Sequence, residues 1–208
     1  MIQTGRNQPQ PALVSAPQPD RPASAIAGRQ SHREYRDAPI HLDELAFLLW
    51  ATQGIRQNLG PGTALRTVPS AGARHALETY VCALNVESLA PAIYRYLPLD
   101  HELVCVADPS DLSARLVAAT LGQSFTAHAA VTLAWTTIPY RMEWRYGLAA
   151  HKVIALDAGH VCQNLYLACE AIGAGTCAIA AYDQEAADRL LGVDGQDEFT
   201  IYCRVRVT

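Results

Sequence analysis

Between Ala158 and Cys169 the chain sets Ala158, Val161, Cys162, Leu165, Tyr166 and Cys169 at intervals of three and four residues. That spacing gathers them on one face of an α-helix. A helix with one apolar stripe must bury it against a second layer, so this segment dictates a layered fold. Gly173 follows where a left-handed residue ends such a helix. A partner layer is legible just upstream: Ala129–Trp135 is a short apolar run of the buried-strand kind.

The rest of the chain supplies more of both layers. Leu42, Leu45, Leu48 and Leu49 share a helical face, with Gly54 as the expected cap. Asn58 to Gly72 holds Gly60, Pro61, Gly62, Pro69 and Gly72 and reads as loop. Strands are expected over Glu78–Leu84, Ala92–Leu97 and Glu102–Val106, the last two joined as a hairpin through Pro98–His101. A helix over about 111–121 follows, then the Ala129–Trp135 strand and two helices within 140–172. After them come a strand over Gly175–Ala181, a helix from Asp183 (its N-cap) to Leu191, and a final strand over Glu198–Val207. Strands and helices mixed with hairpins indicate an α+β fold rather than a regular βαβ array.

Size and composition bound what this fold is for. The 208 residues suit one domain with a substantial core, half of them hydrophobic and 17% charged. A net charge of −4 argues against nucleic acid as the default partner. No apolar stretch is long enough to span a membrane, and the N-terminus lacks a secretory core. Most of the six cysteines sit in apolar runs without a Cys-x-x-Cys pair, which indicates reduced thiols and a cytoplasmic protein. Residues 1–27, rich in Pro, Gln, Ala and Ser, read as a flexible leader or as an arm packing on a partner; 28–208 form the domain.

Four segments hold the candidate chemistry. In the first, Arg29, Ser31 and Arg33 alternate, so an extended backbone projects two guanidiniums and a hydroxyl to one side, suited to an anion such as phosphate. A solvated charged segment explains the same letters. In the second, Pro69, Ser70, Ala71 and Gly72 form a small-residue loop that lets backbone donors approach a flat or anionic ligand; a surface turn is the alternative. In the third, Gly173–Ala181 is glycine-rich, but it follows a helix and leads into a strand, the reverse of a dinucleotide-binding fingerprint. Its small residues suit either a planar ring or close helix–strand packing. In the fourth, Arg141–Gly147 contains Trp144, Arg145 and Tyr146, with Tyr146 a proton-transfer candidate and Trp144 able to face a planar group or join the core. No metal site is indicated, since His160 and Cys162 fall on different helix faces. The Gly-x-Ser-x-Gly elbow of a hydrolase is absent.

In this order, from about Gly28 to Arg204, these segments resemble the nitroreductase-like flavoprotein superfamily, specifically its SagB-type or thiazole/oxazole dehydrogenase branch. The resemblance rests on Arg29–Tyr35, Leu48–Gly54, Arg66–Arg74, Ala92–Leu97 (with Ala92 where the family usually has glycine) and Asp157–Leu165. It implies a three-layer α+β fold, a central, mostly antiparallel sheet flanked by helices, and an intertwined homodimer with two FMN sites across the interface. It implies that Arg29, Ser31 and Arg33 meet the phosphate, ribityl chain and pyrimidine edge. Pro69, Ser70, Ala71 and Gly72 would approach the flavin from the second subunit. Gly175 and the backbone of Ile179 and Ala180 would run beside the ring, and a basic residue near the C-terminus, Arg204 or Arg206, would close the phosphate site. The implied activity is two-electron transfer at flavin N5. The substrate would be a peptide azoline, or a nitroaromatic or quinone reduced with NAD(P)H. Azoline-oxidising members carry a Lys–Tyr pair before the long helix; here Arg145-Tyr146 stands there, and an arginine stays protonated. The rival expectation is a flavin-binding or scaffold subunit without its own turnover.

Overall fold

A computed structural model describes residues 21–207, with side chains described for 22–203. It opens with helix α1 (Arg21–Gly28), which packs on the long helix described below. The final residues of the segment read as leader or extended arm are therefore helical; residues 1–20 lie outside the described residues. Eight residues form a marginal helix alone, so tertiary contact stabilises what local sequence does not announce. Helix α2 (Leu42–Gln53) starts where the His41 N–H donates to the Glu44 carboxylate at 3.0 Å. It buries Leu45, Leu48 and Leu49. Gly54 does cap it, donating its N–H to Trp50 O at 2.9 Å, but in an extended rather than left-handed conformation. Its need for glycine is steric: a Cβ there would lie 2.5 Å from the Trp50 ring.

The stretch read as loop is not all loop. β1 (Ile55–Gly60) and β2 (Thr63–Arg66) form an antiparallel hairpin turning through Pro61-Gly62. Gly60 and Gly62 take positive φ, so the residues that signalled a break build the turn. The ladder is irregular and separate from the main sheet, which is why no clear alternation marked it.

The main sheet contains β3 (Leu77–Ala83), β4 (Ala92–Leu97), β5 (Glu102–Ala107), β6 (Val131–Thr137), β7 (Gly175–Ile179) and β8 (Phe199–Val207). Interleaved are α3 (Leu112–Ala119), α4 (Tyr140–Tyr146), α5 (Ala150–Ala171) and α6 (Gln184–Leu191). The strand order is β5-β4-β3-β6-β8-β7, every pairing antiparallel. β4 and β5 make the expected hairpin, Leu97 facing Glu102. Asp183 caps α6 by accepting from the Ala186 N–H at 2.8 Å. Gly173 ends the long helix at φ 70°.

Helices cover both faces. Val81, Leu133 and Trp135 face α2 and α5, meeting Leu45, Leu48, Ile154 and Leu165. Tyr80, Cys82, Ala134 and Cys203 face α3 and α6, meeting Leu116 and Leu191. All residues of the central strands β3 and β6 are buried, which explains why their sequences run apolar or small without alternating. The result is the expected three-layer α+β architecture. The six cysteines are free, five of them buried. Among the described residues no helix is long and apolar enough to cross a membrane.

Leu133 is fully buried between β6 and α5, whereas Leu148 is 98% exposed. Leu133→Ala should lower unfolding free energy in urea by about 2–5 kcal/mol. Leu148→Ala should stay within about 0.5 kcal/mol. Equal effects would mean that this layer does not hold the fold.

Candidate functional site

The first candidate segment crosses the outer edge of the sheet. Ser31 bridges Thr176 of β7 in parallel, and the His32 N–H donates to Thr176 O at 3.1 Å. The His32 ring lies against Gly175, where a Cβ would stand 2.8 Å away, so glycine permits the approach. Tyr166 of α5 reaches up to this crossing. Its hydroxyl lies 2.6 Å from Ser31 Oγ and accepts from the Ala178 N–H at 3.3 Å, and its ring carries the Arg29 guanidinium 5.0 Å above. Neither Arg29 nor Arg33 has a carboxylate partner among the described residues. The structure thus unites Arg29, Ser31 and Gly175 around Tyr166, with Arg33 exposed just beyond. Ile179 turns its side chain into the second core, leaving only its backbone for a ligand, and Ala180 is exposed beside it. Arg204 lies in β8 opposite Ala178; its side chain falls outside the described residues. Tyr166 was read from the sequence only as a member of the apolar stripe.

The second group gathers at the other end of α5. Gly72 sits in a short 3-10 turn at φ 59°, ψ 21°. A Cβ on it would meet the Tyr146 hydroxyl at 2.7 Å and Arg145 Nε at 3.2 Å. The loop 69–72 and the Arg145-Tyr146 pair, assigned separately from sequence, therefore touch. Asp157 holds the loop from below: it accepts from the Ala71 N–H at 3.3 Å and hydrogen-bonds Ser70, while its Oδ2 has no partner. Burial raises its pKa, and those two hydrogen bonds oppose the rise. Ser70 Oγ in turn accepts from the His75 N–H at 2.9 Å.

Beneath the loop lies a charged network that no motif announced. Glu78, almost fully buried, binds Arg141 at 2.5 Å and Arg95 at 3.1 Å. Arg141 also donates to His75 O at 3.2 Å, tying α4 to the loop, and Arg66 donates to Gln53 at 2.6 Å and Leu77 O at 3.3 Å. Burial, with the Arg66 charge next, pushes the His75 pKa down to about 4. A lone Glu inside a strand gives no sequence signal; its pairing needs β4 and α4 to be placed.

Within one chain the two groups do not meet. Asp157 and Tyr166 are nine residues apart on α5, roughly 13 Å along the axis. One end offers cations without a carboxylate partner among the described residues and a sheet edge, the other a glycine loop, a tyrosine hydroxyl and arginines. Among the described residues no cluster of His, Cys, Asp and Glu could hold a metal ion.

The model of the nitroreductase family matches residues 26–205. A Methanocaldococcus jannaschii protein that carries the name nitroreductase, MJ1384, is 35% identical over 158 residues, covering 76% of this chain and 77% of its own. A Ralstonia eutropha structure described as a nitroreductase superposes with a TM-score of 0.73 at 26% identity, covering 89% of this chain and 81% of that one. A chain of the Escherichia coli microcin synthetase McbBCD complex, with truncated pro-MccB17 bound, superposes with a TM-score of 0.72 at 19% identity, covering 99% and 79%.

His75 generates a pH prediction. Its folded pKa lies below the unfolded value of about 6.5, so between the two pH values the unfolded chain binds the extra proton. Stability should therefore fall as pH drops from about 6.5 toward 4, with no further His75-linked change above that window. Urea unfolding at pH 7 and pH 5 should show a smaller loss for His75→Gln than for the wild type. Parallel losses would remove His75 as the source.

Proposed function

The chain belongs to the nitroreductase family, and from that premise we propose that it is an FMN-dependent oxidoreductase working as a homodimer. The observation that supports this most is the first group. Two guanidiniums without carboxylate partners among the described residues stand with Ser31 beside the small-residue edge Gly175–Ala180. That donor set fits a phosphate with a flat ring next to it, and the family's members generally use flavin.

FMN, when bound, supplies two-electron transfer through N5 of its ring. Arg29 and Arg33 hold the phosphate, joined by Arg204 of β8. Ser31 serves the ribityl chain and pyrimidine edge, and backbone N–H groups near Ile179 and Ala180 tune the ring's polar edge. The Pro69-Ser70-Ala71-Gly72 loop comes from the second subunit. The roughly 13 Å between the groups along one α5 supports this sharing, because a single chain leaves each site half built. Beside that loop the Tyr146 hydroxyl is placed to move a proton at the substrate. Arg145 stays protonated, so it orients substrate and stabilises developing negative charge rather than acting as a base.

The acceptor is a nitroaromatic or quinone reduced with NAD(P)H, or the substrate is a peptide azoline of the SagB-type branch. The likeness to the microcin synthetase chain supports the fold alone. Arg145 where azoline-oxidising relatives carry lysine favours a second reading: a flavin-binding or scaffold subunit of a peptide-modifying complex, without independent turnover. Either way the proposal is a cytoplasmic protein whose net charge of −4 argues against nucleic acid as its partner.

Purified protein should be yellow with a flavin absorption spectrum, and combined Arg29→Ala and Arg33→Ala should release the chromophore. Colourless protein that stays so after FMN is added sinks the cofactor. Stopped-flow mixing with NADH and NADPH separates the readings: bleaching by either supports the reductase, while inertness to both points to a binding subunit or a peptide-fed oxidase. Light scattering should give a dimer; an FMN-loaded monomer contradicts the shared site.

A further inference from the structure

Around Gly72 the chain exposes an aromatic surface that the fold does not use. Trp144 of α4 is 58% exposed and Tyr140, one turn earlier, 74%. Over the Trp144 ring lies the Arg74 guanidinium, 5.1 Å from its centroid, held by an Nε–H donated to Gly72 O at 3.0 Å. Arg145 reaches the same glycine, its Nε 3.2 Å from where a Cβ would stand. Neither arginine forms an ion pair among the described residues, and Glu143 on α4 binds neither. Arg74 therefore keeps free N–H groups beside the exposed Trp144 face, and Arg145 keeps its own over the Tyr146 ring, 5.9 Å from the centroid. Both cations approach Gly72 without an ion-pair partner among the described residues, and in a chain of net charge −4 nothing general calls for them here.

A guanidinium stacked on an aromatic face is weakly hydrated and held in plane, so its remaining N–H groups meet a planar anion with little further ordering. We infer that Arg74, Trp144 and Arg145 form an acceptor subsite selecting a planar aromatic ring that carries an anionic substituent. The ring lies over the Trp144–Arg74 stack, and the anionic group takes the free N–H groups of the two arginines. This assignment rests on the reading of Gly72 as the loop facing the flavin, and it narrows the substrate to charged aromatic acceptors. Tyr146, against Gly72, then stands beside the bound ring.

The test compares two probes of one shape, 4-nitrobenzenesulfonate and neutral 4-nitrobenzenesulfonamide, by calorimetry on the purified protein without electron donor. The sulfonate should bind about tenfold tighter, a difference of about 1.4 kcal/mol, and the preference should shrink as salt is raised. Arg74→Gln and Arg145→Gln should each reduce the preference for sulfonate over sulfonamide several-fold. Tryptophan quenching by the sulfonate should disappear in Trp144→Leu. Flavin absorbance read on the same samples keeps the two claims apart. Coloured protein with no sulfonate preference overturns the subsite and leaves the cofactor standing. Colourless protein that still prefers the sulfonate keeps the subsite and sinks the flavin. Equal wild-type affinities, or a preference intact in both arginine variants, overturn the inference without reference to how any variant folds.

Discussion

The apolar face of α5 against the centre of the sheet is the contact on which the rest of the molecule depends. Ile154, Ala158, Val161 and Leu165 press onto a layer in which β3 and β6 are buried throughout. Burial at roughly 25 cal/mol per Å² of apolar surface makes such a face the largest favourable contribution available to a chain of this length. Because α5 runs 22 residues through that contact, it sets where the groups that touch its two ends lie. Asp157 holds the Ser70–Gly72 loop near one end, and Tyr166 meets Ser31 and Ala178 toward the other. The core thus doubles as a ruler between the two halves of the candidate chemistry.

The Gly72 half is also supported by a carboxylate that the core isolates from water. Buried Glu78 gathers the partly exposed Arg95 and Arg141, and Arg141 reaches His75 O below the loop. A buried carboxylate is costly unless it is paired and hydrogen-bonded, and removing one partner strands the others. That interdependence couples the placement of α4, with Arg145 and Tyr146, to the placement of Gly72. Gly72 shows the same coupling sterically, since its missing side chain is the space that the Tyr146 hydroxyl approaches. At the opposite edge, Gly175 leaves the space occupied by the His32 ring.

Much of this was legible in the letters. Period-three-and-four spacing located α5, and apolar runs located β3, β4 and β6. Asp183 and Gly173 marked helix ends through capping chemistry that is local by nature. The ordered motifs pointed to the family, and residues within Arg29–Arg33, Pro69–Gly72 and Arg145-Tyr146 do lie at two coherent places. The β1–β2 hairpin was hidden because its glycines and proline signal a break whether or not strands flank it. α1 was hidden because a short helix owes its stability to the surface it rests on.

By itself, then, the sequence determined the α+β class, the position of the long helix and which residues are candidates to hold an anion. These follow from periodicity, capping and side-chain chemistry, all of which act over a few neighbours. Only the tertiary structure decided that Tyr166 belongs with Ser31, that Glu78 organises Arg95 and Arg141, and that Gly72 meets Tyr146. Those pairs are separated by 135, 17, 63 and 74 positions, and nothing local links them. They meet because strand order and the length of α5 bring them together.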